Sequence, residues 1–159
     1  MKALRILGLA MALFGAMTVS SCKKDPCKKV TCQNGGTCQD GNCKCNLPWE
    51  GSRCEVDARD KFVGSWRGTI NCGSGPEDDA FSITKSSTTA TRIILGDRVY
   101  GELTSSSSFD IPAQILNLNG TAATVNGRGN LNGNQLTLTL TFTVEGGGAF
   151  TCSGTYNKQ

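Results

Sequence analysis

Leu136-Thr137-Leu138-Thr139-Leu140-Thr141-Phe142-Thr143-Val144 is the stretch on which the fold turns. Apolar side chains and threonines alternate with a period of two, which is the period of a β-strand and not of a helix. One face of such a segment is buried and the other meets water, as in an antiparallel sheet with a single apolar side.

The same alternation recurs on both sides of it. Downstream, past the loop Gly146-Gly147-Gly148, Phe150, Cys152, Gly154 and Tyr156 share a face. Upstream, Phe62, Gly64, Trp66, Gly68, Ile70 and Cys72 form the apolar parity of a first strand. Between these lie further expected strands over 80–86, 91–95, 98–103, 109–115 and 123–131, separated by short Gly, Asn, Asp and Ser turns. That makes eight strands with no convincing helix. Cys72 and Cys152 fall on the apolar parity of the first and last strands, so a bond between them requires the two ends of the sheet to be close. In an up-and-down meander with an even number of strands, the first and last are antiparallel and can pair, closing a barrel and removing both free edges. Such a long crosslink contributes about 4 to 5 kcal/mol in the chain-entropy account. A sandwich with an inter-sheet disulfide is the competing architecture.

Seven of the nine cysteines lie between Cys22 and Cys54, and this change of composition marks a second module ahead of the β-domain. Before Cys22 come Lys2 and Arg5, an uncharged apolar run and the small pair Ser20-Ser21, the layout of a secretory signal. The apolar run is short for a membrane-spanning helix. Val19-Ser20-Ser21-Cys22 resembles the lipobox of bacterial lipoproteins. That resemblance implies cleavage before Cys22, a diacylglyceryl group on its thiol and a further acyl chain, such as palmitate, on its amine. Lipidation of Cys22 also leaves an even number of cysteines to pair, in an exported chain where disulfides persist. The tether 22–26, with Lys23-Lys24-Asp25-Pro26, is similar to those of Bacteroidetes-type lipoproteins, although it lacks the acidic tract that favours surface display.

From residue 27 to 54 the spacing is C-x4-C-x5-C-x4-C-x-C-x8-C, with Asn34-Gly35-Gly36-Thr37-Cys38 at its centre and Pro48-Trp49-Glu50-Gly51-Ser52-Arg53-Cys54 at its end. Spacing alone leaves 15 pairings of six cysteines open. A module this small cannot bury enough apolar surface to fold without crosslinks. Asn34-Gly35-Gly36 and Asp40-Gly41-Asn42 suit tight turns. The stretch resembles an epidermal-growth-factor-like (EGF-like) module, and the resemblance implies Cys27–Cys38, Cys32–Cys43 and Cys45–Cys54; Trp49 is expected to pack against this small framework. Its expected role is a rigid spacer, with a protein-contact surface as the sharper alternative.

The chemistry-bearing residues are few. The chain has no histidine, which removes imidazole acid-base catalysis, Ser-His and Cys-His nucleophile pairs, and His-containing zinc sites. Calcium is not expected in the small module, because Lys23-Lys24-Asp25-Pro26 lacks the acidic lead-in of calcium-binding EGF members. Glu77-Asp78-Asp79 follows Gly73-Ser74-Gly75-Pro76 and reads as a solvated loop rather than a calcium site. Glu102 and Asp110 lie in separate strands with nothing to relate them, Ser105 to Ser108 is a polar loop, and the triple glycine lacks the Lys of a phosphate-binding loop. Gly127-x-Gly129 inside a strand pattern suggests a bulge or bend. After removal of the leader, 14 basic side chains face 13 acidic ones, which gives no hint of a nucleic-acid partner.

Gly64-Ser65-Trp66 resembles the G-x-W signature of lipocalins and related barrels; a tryptophan on a strand's apolar face is more often a core plug than a ligand contact. The expected layout is therefore a signal peptide at 1–21, a lipidated tether at 22–26, the EGF-like module at 27–54, a charged linker at 55–61 and the barrel-like domain at 62–157. The expected protein is a non-enzymatic envelope lipoprotein, held on the outer membrane through Cys22 and using no cofactor or metal. Its β-domain is presented to a protein, glycan or small apolar ligand. A lipocalin-like carrier is the alternative, and a carboxylate-based hydrolase is a third reading.

Overall fold

The computed structural model describes residues 24–159 apart from Asn119, with backbone only at Leu118. The expected signal peptide and the lipidation expected at Cys22 lie outside the described residues.

The small module is built on one hairpin, β1 (Thr37–Gln39) and β2 (Asn42–Lys44). Its turn holds Asp40 at φ 49° and Gly41 at φ 85°, the doubly left-handed turn whose twist matches that of paired strands. Cys38 and Cys43 are register partners in this hairpin and carry bonds in different directions, Cys27–Cys38 and Cys32–Cys43. Cys45–Cys54 closes the third loop, so the pairs are those that the resemblance implies. Next come β3 (Trp49–Glu50) and β4 (Val56–Asp57), which pair with one another, and a single 3-10 turn over Ala58–Lys61.

Asp57 begins that turn by accepting the Arg59 N–H at 3.0 Å. Burial alone would raise the Asp57 pKa, but hydrogen bonds from Arg59 and the charges of Arg59 and Lys85 outweigh it and hold this carboxyl below its ordinary value. Arg59 also donates to the carbonyls of Ser86 and Thr89 in the barrel. The stretch read as a linker is thus fastened on both sides, with the Ala58 N–H donating to Pro48 O at 2.7 Å and Lys61 pairing with Glu50 at 2.7 Å.

The β-domain is a closed eight-stranded antiparallel barrel of β5 (Gly64–Asn71), β6 (Pro76–Lys85), β7 (Arg92–Leu95), β8 (Val99–Leu103), β9 (Ser108–Leu118), β10 (Thr121–Asn132), β11 (Gln135–Val144) and β12 (Ala149–Lys158). Each strand pairs with the next, and β12 pairs with β5 from Ser153↔Asn71 to Lys158↔Trp66. The sandwich alternative is not formed. One step beyond the Ser153↔Asn71 pair stand Cys152 and Cys72, whose disulfide clamps the closing seam at its rim.

Trp66, Ile83, Ile93, Leu103, Phe109, Ile111, Leu136 and Tyr156 fill the lower barrel. Two expectations are corrected here. Phe62 does not open the first strand; it ends the 3-10 turn and plugs the base with Ala58, because the capped turn swings it under the barrel. Its ring meets Phe109 edge-on at 5.4 Å, and its carbonyl accepts the Trp66 Nε1–H at 2.8 Å. Glu77-Asp78-Asp79 is not a loop but the start of β6, paired with Ile70, Thr69 and Gly68. The turn is confined to the glycine-rich residues before it, so the acidic run inherits strand alternation.

The outer surface is largely polar, with Ile115 the most exposed apolar side chain among the described residues. Thr137, Thr139, Arg128, Asp110 and Arg67 are exposed and alternate with inward apolar positions. This is the reverse of a lipid-embedded barrel, whose apolar band faces outward. Among the described residues no helix is long and apolar enough to cross a membrane.

Candidate functional site

The lower barrel is packed solid, and above it a recess remains on one side. Over the packed layer lies an apolar cup of about 140 Å³, walled by Ile70, Phe81, Leu138, Leu140 and Tyr156, with Leu95, Gly96 and Val99 on its low side. Ligand sites commonly take this form, apolar walls with a small number of placed polar groups in the mouth of a barrel.

Unequal strand lengths produce the low side. β6 meets β7 only where residues 83–85 face 93–95, and β8 meets β9 only at Glu102↔Asp110 and Leu103↔Phe109. The β7–β8 hairpin therefore ends early while β9 to β12 continue upward. On β9, Pro112 and Ala113 stand opposite the single residue Asn126, and this bulge turns the strand away from β8. The side chain of Gln114 bridges the resulting gap. Its Nε2 donates to Tyr100 O at 2.7 Å and its Oε1 accepts the Tyr100 N–H at 3.0 Å, so a side-chain amide replaces a missing strand partner.

Asp79 is the one charged residue that lines the cup. It lies on the inward parity of β6 with Phe81 and Ile83, opposite Gly68 in the ladder. The Tyr156 hydroxyl donates to Asp79 Oδ2 at 2.7 Å. Burial first, and then the adjoining carboxylate, push the Tyr156 phenol far above its ordinary value, so it remains a neutral donor at any physiological pH. Phe81 packs edge-on against the Tyr156 ring at 4.8 Å. A Cβ at Gly154 would lie 2.6 Å from that ring, so glycine is what lets the tyrosine lean across the cup.

The other acidic residues are placed differently. Glu102 and Asp110, unrelated in sequence, are direct register partners on the outer face, between Arg92 and Arg128 in the neighbouring strands. Glu102 is engaged by Arg92 at 2.6 Å and by the Thr91 hydroxyl at 2.9 Å, while Arg92 lies 4.0 Å over the Tyr100 ring. Neither carboxylate reaches the cup. Among the described residues, no three His, Cys, Asp or Glu side chains gather as a metal would need. Trp66 is a core plug, wholly inside the lower layer.

Sequence reasoning missed Asp79 and Gln114 as individual residues. Counting back with period two from Ile83 and Phe81 reaches Asp79, and Pro112 inside a strand pattern is a bulge signal that points to Gln114.

No protein-family model matches this chain, and no curated protein matches it at a significant level. A crystal structure of a "putative outer membrane protein" from Bacteroides fragilis NCTC 9343 is similar at 16% identity and a TM-score of 0.38, covering 64% of this chain. This chain spans 52% of that protein's length.

Proposed function

We propose that this chain is a lipid-anchored, non-enzymatic protein of the bacterial envelope whose barrel holds a small apolar ligand in its open cup. The cup carries the reading: eight strands suffice to pack a barrel solid, yet here an apolar recess is left unfilled on one side above the packed layer. Its volume matches a single ring-sized group, since an apolar cavity of about 150 Å³ stays dry and accepts benzene. The absence of chemistry in the cup supports a binding role over a hydrolytic one. Asp79 stands without a second carboxylate, and Glu102 and Asp110 face outward.

The anchor rests on the leader and the lipobox-like Val19-Ser20-Ser21-Cys22. Two or three acyl chains on Cys22 exceed the single chain that gives only marginal membrane attachment. The EGF-like module then acts as a spacer, and its fastening to the barrel base through Pro48, Glu50 and Arg59 supports a rigid one.

Two measurements test this function. Native mass spectrometry of the protein taken from its own envelope is expected to show a small bound mass that Leu140→Trp, which fills the cup, abolishes. Equal occupancy in that variant refutes the carrier reading. Cys22→Ser is expected to move the protein from the membrane to the soluble fraction, and an unchanged distribution removes the anchor.

A further inference from the structure

Within the cup, Asp79 presents two oxygens. Oδ2 accepts from Tyr156, while Oδ1 has no hydrogen-bond donor among the described residues. No ion pair of the described residues includes Asp79, although Asp57, Asp60, Glu50 and Glu102 all have cationic partners. The nearby Arg67 is opposite Ala80 in the ladder and so projects from the outer face. Asp79 shares the lining of the cup with Phe81, Leu138 and Leu140, so a cation entering the cup would meet one carboxylate among apolar walls. The fold retains this carboxylate and orients it with a neutral phenol, which supplies one donor and no charge.

We infer that the cup's ligand is a small primary or secondary amine, protonated in water, whose apolar portion is about the size of one ring. This rests on the cup reading above and adds the chemical class. The ring or short branched chain sits against Ile70, Phe81 and Leu138, and the ammonium donates to Asp79 Oδ1 in a charge-assisted bond. The apolar walls set the size, and the single carboxylate sets the charge. A carboxylate ligand is repelled, and a neutral alcohol of the same shape forms only the weaker bond.

The test uses the exported, disulfide-bonded chain and three probes of one shape: 2-phenylethylamine, 2-phenylethanol and 3-phenylpropionate, titrated by ligand-detected NMR at neutral pH. The amine is expected to bind about 10- to 100-fold more tightly than the alcohol, the range for a hydrogen bond to a charged group. The carboxylate is expected not to bind. Asp79→Asn should remove the preference for the amine, whereas Asp78→Asn, on the outer face, should leave it intact. If alcohol and amine bind the unaltered protein equally, the amine inference is overturned and the cup reading stands. Failure of all three probes overturns both. The comparison among probes on the unaltered chain decides the matter even if Asp79→Asn does not fold.

Discussion

Phe109 shows how a single residue dictates its neighbours. Its ring lies across Gly101 on β8 and Gly129 on β10, so that a Cβ at Gly101 would fall 2.6 Å from the ring and one at Gly129 would collide with it outright. Gly127-x-Gly129 was legible in the sequence as a bulge or bend, and a register shift does occur beside Gly127. The extra residue lies on β9, however, and the need for glycine at 129 comes from a ring on another strand. No local pattern carries that information. Gly129→Ala is expected to destabilise the barrel by about 1 to 3 kcal/mol, the usual cost of overpacking, read from the midpoint of urea unfolding. An unchanged midpoint would mean that Phe109 can move aside at little cost.

Among the barrel strands, β8 is the least secured, because its ladder to β9 has only two register pairs. Gln114 compensates by bonding both backbone groups of Tyr100, a repair that leaves no trace in hydrophobic periodicity. Gln114→Ala should speed hydrogen exchange of the Tyr100 amide at least about tenfold, since its partner then becomes water. The Leu103 amide, bonded to Thr91 O at 2.9 Å, should keep its rate. Equal exchange at Tyr100 in both proteins would show that the side chain does not hold the strand. Strand positions were well marked in the sequence. Their ends were not: β6 begins at Pro76, four residues before the alternation is visible, because Glu77, Asp78 and Asp79 mask the period with charge.

The whole molecule is held shut at two levels. The β12–β5 ladder closes the barrel, and Cys72–Cys152, 80 positions apart in the chain, fastens the rim of that seam. Replacing both cysteines with alanine is expected to lower stability by about 4 kcal/mol, mainly by enlarging the freedom of the unfolded chain, while the ladder preserves the native fold. Urea unfolding of the two proteins checks this. A loss below about 1 kcal/mol would assign closure to the ladder alone. At the opposite end, Ala58, Arg59 and Phe62 bind the small module's exit to the barrel's floor, so residues 55–61 serve the core as well as connecting the modules.

The eight strands, their apolar faces, the closing pair of cysteines and the boundary between a disulfide-rich part and a β-rich part are all set by the sequence alone. Each depends on periodicity or on residue type, which are local and countable. The place of Asp79 inside the cup, the meeting of Glu102 with Asp110 and the use of Gln114 as a substitute strand were decided only in three dimensions. They depend on register and on unequal strand length, and these follow from how the interior packs around Phe109, Trp66 and Phe62. A period of two says which face a residue shares, but only closure of the barrel determines what lies across from it.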